Sequence, residues 1–488
     1  MSTVDAAAVM AREGIPVVST GRLGEWMLDQ RWFASKAREL GQVQILDAVP
    51  VSPGGGDDDA LVLLIVEIRA PAGTHDLYQV PVGVHRPNAS RAAAGAEPDE
   101  REAEDGRPEP ICEQGGVALY DALQDERLTA VLGALLAAKA TIEEGESEVG
   151  FEVSDSVELE LHPSARRVGR EQSNSSVVLD DRYILKAYRR IEAGINPELE
   201  MLTFLSEHAF ENVAPVDGSY VYRGELLDAT LGIMQRFIPA ATDGWQLATV
   251  ALERGGGAEL MEPLTDLGAV IGGLHTTLAS DADDLEFAPE EPADEQVALL
   301  TATIDEQIER LFIELSDRPE LEPIRGRGEE LRDRLSMLSH TGVGGRLIRA
   351  HGDLHLGQAL LGPDGWVIID FEGEPDRPLR ERRRKRSPLR DVAGMLRSIS
   401  YAALAGEVLR GAPAALEWEL AARQAFLDGY MAEMDPALLP AGAQAISKQL
   451  AMFELEKLLY ELRYELENRP DWLRVPVAGI ERLLDEEL

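Results

Sequence analysis

A single cysteine, Cys112, stands in 488 residues, which excludes an internal disulfide and the small stapled scaffolds that depend on one. Positive charge is scarce as well: 47 Lys and Arg face 88 Asp and Glu, for a net charge of -41. Such a chain repels nucleic acid and anionic membrane, so any polyanion it binds must meet a local cationic site. Long apolar runs are missing. The most apolar stretch, LVLLIV at Leu61 to Val66, falls far short of the roughly 20 residues that span a bilayer. The opening residues, MSTVDAAAVMAREG, hold neither a basic leader nor an apolar segment, so the expected compartment is cytoplasmic, with no membrane or nucleic-acid partner.

What is present divides into three stretches, as the length leads one to expect. TGRLGEWMLDQRWF reads as a short helix, and VQILDAVPV, LVLLIVEI and DLYQVPVGV as strands of a small antiparallel sheet behind it. The charged, Ala- and Pro-rich RPNASRAAAGAEPDEREAEDGRPEP has no periodicity and reads as an exposed loop. ALYDALQDERLTAVLGALLAAKA is helix-prone throughout, whereas FEVSDSVELELH, SSVVLDD and RYILKAYRR alternate like strands. One helix, NPELEMLTFLSEHAF, precedes the strands GSYVYRG and LGIMQRFIPA, and from Ala241 onward the pattern is helical apart from WVIID. The expected architecture is α+β: a bilobal protein-kinase-like fold with a cap at 1–127, a β-rich small lobe at 128–239 and a helical large lobe at 240–488.

The chemistry concentrates in HGDLHLGQALLGPDGWVIIDFEGEP, His351 to Pro375. Phosphoryl transfer needs a carboxylate to orient the attacking hydroxyl, oxygen ligands for Mg²⁺, and a cation on the nucleotide phosphates. Asp353 follows His351 by two residues, Gln358 lies five further on, and Asp370 ends a short apolar strand after a PDG turn. Each alone would be an ordinary turn or cap residue. Together, downstream of a β-rich lobe, they form the pattern of a catalytic loop and a metal hairpin. Zinc is not expected at His351 and His355, because the one thiol lies in a remote stretch.

HGDLHLGQ, IDFEGEP and SPLRDVAGMLRS resemble the bacterial maltokinases, members of the aminoglycoside-phosphotransferase-like branch of the kinase fold. So do QRWFASK, EQSNSSVVL, MQRFIPAATDGW and FELEKLLYELRYELENRPDW, and the resemblance therefore runs over most of the chain. It implies ATP-dependent phosphorylation of maltose at the anomeric hydroxyl, giving maltose 1-phosphate for α-glucan assembly. It also implies Asp353 as catalytic base and Gln358 and Asp370 as Mg²⁺ ligands. Gln358 stands where relatives with a general kinase loop carry Asn. Glu372 is a candidate for the metal or for a sugar hydroxyl, and His351 is grouped with the substrate side as a residue that orients the loop.

For the nucleotide, Lys186 on RYILKAY holds the position of the kinase lysine that reaches phosphates. PELE offers Glu198 or Glu200 as its partner, and the resemblance favours Glu200. A Gly-rich loop is missing; GREQSNSSVV takes its place, so phosphate contacts fall to Ser173, Asn174, Ser175 or nearby backbone N–H groups. MQRFIPA occupies the place of a hinge, with the backbone of Gln235, Arg236 and Phe237 toward the adenine.

For the sugar, Leu455, Leu459, Leu462 and Leu466 form one apolar stripe, leaving Lys457, Tyr460, Glu461 and Tyr464 on the other face. Rings and charges together suit a disaccharide, and the resemblance makes Lys457, Tyr464 and Arg482 the leading contacts. RERRRKR from Arg380 to Arg386 is a dense cationic run, read as steering ATP, anchoring the loop after the metal site, or lying in solvent. Two other readings stand beside maltokinase: a kinase for another sugar such as glucosamine, and a catalytically silent sugar- or nucleotide-binding module. The resemblance also brings in a trehalose-isomerising enzyme as a candidate partner.

Overall fold

The computed structural model describes residues 20–33, 41–52, 60–69, 75–85, 108–114, 117–154, 157–159, 164–167, 173–225, 227–314, 318–339, 344–374 and 377–485. The opening MSTVDAAAVMAREG, most of the loop read at 86–110, the ASK of QRWFASK and the GREQ of GREQSNSSVV lie outside the described residues. The chain divides into two compact units, Met1–Thr203 with Ala214–Pro239, and Phe204–Val213 with Ala240–Leu488.

In the first unit, helix α1 (Thr20–Asp29) precedes strands β1 (Gln42–Ser52), β2 (Ala60–Arg69), β3 (His75–His85), β4 (Pro110–Gln114) and β5 (Val117–Asp121). They pair antiparallel in the order β1-β2-β3-β5-β4. The LVLLIV run is explained by β2, whose residues are buried on both faces. Val62, Leu64 and Val66 enter one apolar cluster with Trp32 and Phe33, while Leu61, Leu63 and Ile65 enter another. ALYD, expected to open a helix, is instead part of β5, because its backbone pairs with both β3 and β4. Helix α2 (Glu126–Ala137) starts only after Asp125, whose side chain accepts the Arg127 amide hydrogen as an N-cap.

A second antiparallel sheet holds β6 (Thr141–Glu144), β7 (Ser147–Val153), β8 (Ala165–Arg167), β9 (Ser175–Leu179) and β10 (Tyr183–Ala187). After β11 (Arg190–Ile191), which joins β3 of the first sheet, come helix α3 (Pro197–Glu207) and strands β12 (Val216–Arg223) and β13 (Asp228–Arg236). The order is β6-β7-β12-β13-β10-β9-β8. Both sheets share a core: the inner face of β2 lies in one cluster with Leu128 and Leu132 of α2, Leu185, Tyr220, Leu231 and Met234.

The second unit is helical as expected, with a small sheet larger than the single WVIID run suggested. β14 (Thr242–Asp243) is followed by α4 (Gly244–Glu253), α5 (Met261–Leu278), α6 (Asp294–Glu314) and α7 (Gly328–Ser339). β15 (Ala359–Gly362) and β16 (Gly365–Ile368) form a hairpin, and β14 pairs with β15. Then come α8 (Leu379–Arg382), α9 (Leu389–Arg410), α10 (Leu416–Glu433), α11 (Ala443–Asn468) and α12 (Arg474–Asp485). Helices α5 and α10 meet backbone to backbone: a Cβ on Gly429 would lie 1.8 Å from the Thr265 carbonyl oxygen, and one on Gly268 2.0 Å from that of Phe426. α9, not LVLLIV, is long and apolar enough to cross a membrane, yet most of it is buried inside the protein.

Candidate active site

HGDLHLGQ is a loop, and the second unit holds it from below through one carboxylate. Asp391, in the first turn of α9, accepts the amide hydrogens of His351 at 2.7 Å and Gly352 at 2.9 Å. Behind it, His275 of α5 contacts the same carboxylate at 3.1 Å and meets the Tyr430 hydroxyl of α10 at 3.1 Å through its other nitrogen. All three side chains are buried. Burial alone would raise the Asp391 carboxyl, but the hydrogen bond and charge of His275 hold it below the usual carboxylate range, helped by His351 and the Gly352 amide. Neither His275 nor Asp391 had been singled out from the sequence. The signal was an acid directly before the apolar VAGML of α9 and a histidine directly after the apolar AVIGGL of α5.

His351 is buried and fully engaged with its own chain, which corrects its grouping with the substrate residues. Its Nδ1 accepts the Asp353 amide hydrogen at 3.4 Å, so Nε2 carries the proton that it donates to the Ile369 carbonyl at 2.9 Å. This clamps the loop to the end of the β15–β16 hairpin and leaves the Asp353 side chain partly exposed. His355 accepts the Gly357 amide at 3.1 Å through Nδ1. Burial pushes its imidazole below the ordinary value, so it is neutral at pH 7.

Gln358 and Asp370 are adjacent: the Gln358 side-chain amide donates to Asp370 Oδ2 at 2.8 Å. The Gln358 carbonyl also accepts the Ile369 amide at 3.0 Å, which sets the two side chains in register. Asp370 adopts a left-handed conformation, φ 68°, uncommon outside glycine but better tolerated by Asp and Asn than by other residues. With the Gln358 NH₂ directed at Asp370, its carbonyl oxygen and the carboxylate are hard oxygen donors of the kind Mg²⁺ takes. The residues therefore fit the ion.

From α11, Lys457 brings Nζ to 3.7 Å from Asp353 Oδ1, and both side chains are 29% exposed. Burial would lower the ammonium, but Asp353 and then Glu374 draw it above its ordinary value, so it stays charged. Glu374 is itself tied to Arg377. Tyr460 and Tyr464 lie further along the exposed face of α11, their rings stacked with centroids 6.3 Å apart. Glu461 does not share that face: it is buried and accepts from Arg397 of α9 at 2.9, 3.1 and 3.4 Å. Arg482 is likewise committed elsewhere, its guanidinium bonding Glu419 at 2.7 Å. Its expected role as a sugar contact is thereby corrected, since a buried carboxylate holds it. In the basic run, Arg382 donates to the Glu372 carbonyl at 3.2 Å while Arg383 and Lys385 pair with Glu286 and Glu290. Of the three readings of that run, anchoring the loop after the metal site fits these bonds.

In the first unit, Lys186 lies on β10 and its Nζ meets Glu198 Oε2 at 2.7 Å. Glu198, 1% exposed, also accepts the Tyr188 hydroxyl at 2.8 Å. The partner expected at Glu200 is therefore Glu198, which the Asn196 side chain caps at the start of α3, 2.8 Å from its amide. Ser175 turns inward, its hydroxyl accepting from Arg189 at 2.7 Å, so its side chain is not aimed at a phosphate; Ser173 and Asn174 stay at the bend before β9. At the expected hinge, Gln235 sits in β13 between β10 and β12 with its backbone within the ladder, and its side chain bonds the Ala214 carbonyl at 2.8 Å. Arg236 contacts Asp217 at 3.4 Å, and the Phe237 amide is taken by the Arg182 carbonyl at 2.8 Å. The N–H groups of Gln235 and Phe237 are thus not directed at an adenine.

Residues 164–426, more than half of the chain, match the family described as the phosphotransferase enzyme family. The chain belongs to that family. Residues 26–125 separately match the maltokinase N-terminal cap domain, and this phosphotransferase therefore carries a cap ahead of its kinase-like region. A glucosamine kinase of Mycolicibacterium smegmatis is 28% identical over 335 residues, 66% of this chain and 80% of that protein. One of Streptacidiphilus jiangxiensis is 25% identical over 331 residues, 65% and 73% of the two chains. A solved glucosamine kinase superposes with a TM-score of 0.66 at 19% identity, covering 95% of this phosphotransferase and 99% of that chain. Another, in complex with glucosamine, ADP and inorganic phosphate, gives 0.64 at 18% identity, covering 96% and 100%. The fold is accordingly kinase-like, sheet-rich in its N-terminal part and helical in its C-terminal part.

Proposed function

We propose that this phosphotransferase is an ATP-dependent sugar kinase that phosphorylates maltose at its anomeric hydroxyl, giving maltose 1-phosphate and ADP. The observation that carries the reading is the approach of Lys457 to Asp353, which sets a hydroxyl-binding ammonium beside a partly exposed carboxylate. In this reading Asp353 orients the acceptor hydroxyl and takes its proton as the oxygen bonds to the γ-phosphorus and the bond to the β-phosphate oxygen breaks. Lys186, steadied by Glu198, offsets phosphate charge on the nucleotide. Mg²⁺ would be held by Asp370 and Gln358, and when bound it neutralises phosphate charge. Glu372 remains a candidate near that ion, and Tyr464 with Tyr460 supplies rings for the second glucose unit.

The glucosamine alternative draws support from the names of the two relatives. Against it, a protonated amino sugar held at Asp353 would meet the like charge of Lys457, while Glu374 is already engaged by Arg377. The maltokinase cap match favours the disaccharide. The test is an acceptor panel of maltose, glucose and glucosamine with ATP consumption measured, followed by phosphorus NMR of the product. Maltose-dependent turnover with phosphate coupled to the anomeric proton is expected. A 6-phosphate product, or equal turnover of glucosamine, would overturn the maltose assignment and leave the kinase; no sugar-dependent ATP consumption would overturn both.

A further inference from the structure

The segment that follows β10 is held by the cap. Every residue from Tyr188 to Ile191, the segment that follows Lys186 on β10, is fixed by the first sheet or by the strand that closes it. Gln79, at the centre of β3 and completely buried, donates its side-chain NH₂ to the Tyr188 carbonyl at 2.6 Å and to the Leu231 carbonyl, and its backbone amide to the Arg189 carbonyl at 2.9 Å. The Tyr220 hydroxyl closes the set at 3.3 Å from Gln79 Oε1. Arg189, also without exposure, pairs with Asp121 of β5 at 2.6 Å, Arg190 pairs with Asp76 of β3 at 2.7 Å, and Ile191 pairs with Leu77 in the ladder.

We propose that Gln79 is a positioning residue for phosphoryl transfer, acting through Tyr188 on the Lys186–Glu198 pair. Tyr188 links the two ends. Its carbonyl receives the Gln79 amide, while its hydroxyl donates to Glu198 Oε2, the same oxygen that Lys186 holds at 2.7 Å. The Lys186 ammonium also lies 5.6 Å above the Tyr188 ring. A carboxylate that accepts two donors on one oxygen is restricted in rotamer, and the lysine it anchors is restricted with it. Moving the Tyr188 backbone swings its hydroxyl off Glu198 and loosens that anchor. Gln79 suits this task because a side-chain amide can offer two N–H groups to carbonyls on two different strands while accepting a third bond.

The inference rests on the kinase reading for its readout. Gln79→Met keeps the volume and removes the donors; Tyr188→Phe keeps the carbonyl link and removes only the hydroxyl. Each is expected to raise KM for ATP about tenfold, the worth of one charge-assisted bond, with KM for the sugar unchanged. Calorimetry should find the same loss in ATP affinity. The double variant should be no worse than the weaker-binding single one, since both cut one relay. Val62→Ala, in the cap cluster beside Trp32 and Phe33, serves as a destabilised comparison and should leave KM for ATP in place. If Gln79→Met does not fold, Tyr188→Phe carries the test. Unchanged ATP affinity in Tyr188→Phe, equal rises in both KM values, or strict additivity in the double variant would overturn the relay. Failure of the unaltered protein to bind ATP would instead overturn the kinase reading.

Discussion

Lys457 places its ammonium 3.7 Å from the Asp353 carboxylate, so the residue expected to take a proton sits beside one that keeps its own. That contact joins the HGDLHLGQ loop to α11, between two residues more than a hundred positions apart in the chain.

Replacing Asp353 with Asn preserves the shape of the loop and removes the proposed proton acceptor. kcat should fall roughly 10²- to 10⁴-fold, with ATP affinity nearly unchanged by calorimetry. Turnover within tenfold of the unaltered enzyme would take Asp353 out of that role.

Lys457 and Arg482 should part company. Lys457→Ala is expected to raise KM for maltose by about one to two powers of ten, from loss of a bond worth about 1.5–3 kcal/mol, and to leave ATP affinity alone. Arg482→Ala should spare KM and lower stability by about 3–5 kcal/mol, because Glu419, 2% exposed, would remain buried without its arginine. Steady-state kinetics beside urea unfolding checks both; a large rise in KM from Arg482→Ala would restore it to the sugar site.

Two neighbouring glutamates on α3 should behave differently. Glu198→Gln removes the charge that anchors Lys186 and should weaken ATP binding about tenfold or more, whereas Glu200→Gln should change it less than threefold. Calorimetric titration with ATP distinguishes them, and the reverse order would reinstate Glu200 as the partner.

Acid should reveal Asp391. Its carboxyl titrates below the ordinary carboxylate range when folded, so between that lower value and the unfolded value of about 3.9 the unfolded chain binds the additional proton. Its contribution is complete above about pH 4 and is lost as pH falls through the folded value. Asp391→Asn should therefore be less stable than the unaltered protein at pH 7, with the gap narrowing below about pH 4. Urea unfolding at several pH values measures this, and a constant gap down to pH 3 would contradict it.

Much of the candidate site could be named before the fold was known because its parts are local. Asp353, Gln358 and Asp370 sit in one loop and hairpin, and Lys186 follows from strand alternation. The errors came where a choice depended on a distant partner. Glu198 and Glu200 share the first turn of α3, and only the packing of that helix on β10 selects between them. Glu461 and Arg482 look like surface charges until Arg397 and Glu419 arrive from α9 and α10. ALYD has a helical composition, and its strand state exists only because β3 and β4 flank it. Asp391 and His275 are 116 residues apart, and no periodicity links them.

The two-sided burial of β2 sets a condition on how the protein is made. Leu61, Leu63 and Ile65 are covered by side chains reaching as far along the chain as Leu231 and Met234, and Gln79 waits across 152 residues for the Leu231 carbonyl. At a synthesis rate of about 5–20 residues per second, that interval is roughly 8–30 s. For that time a strand reading LVLLIV, uncharged and rich in β-branched residues, is outside the ribosome without its cover. Expression should therefore respond to lower growth temperature and to holdase chaperones more than to any change in the HGDLHLGQ loop, and the cap should be insoluble when produced without residues 128–239.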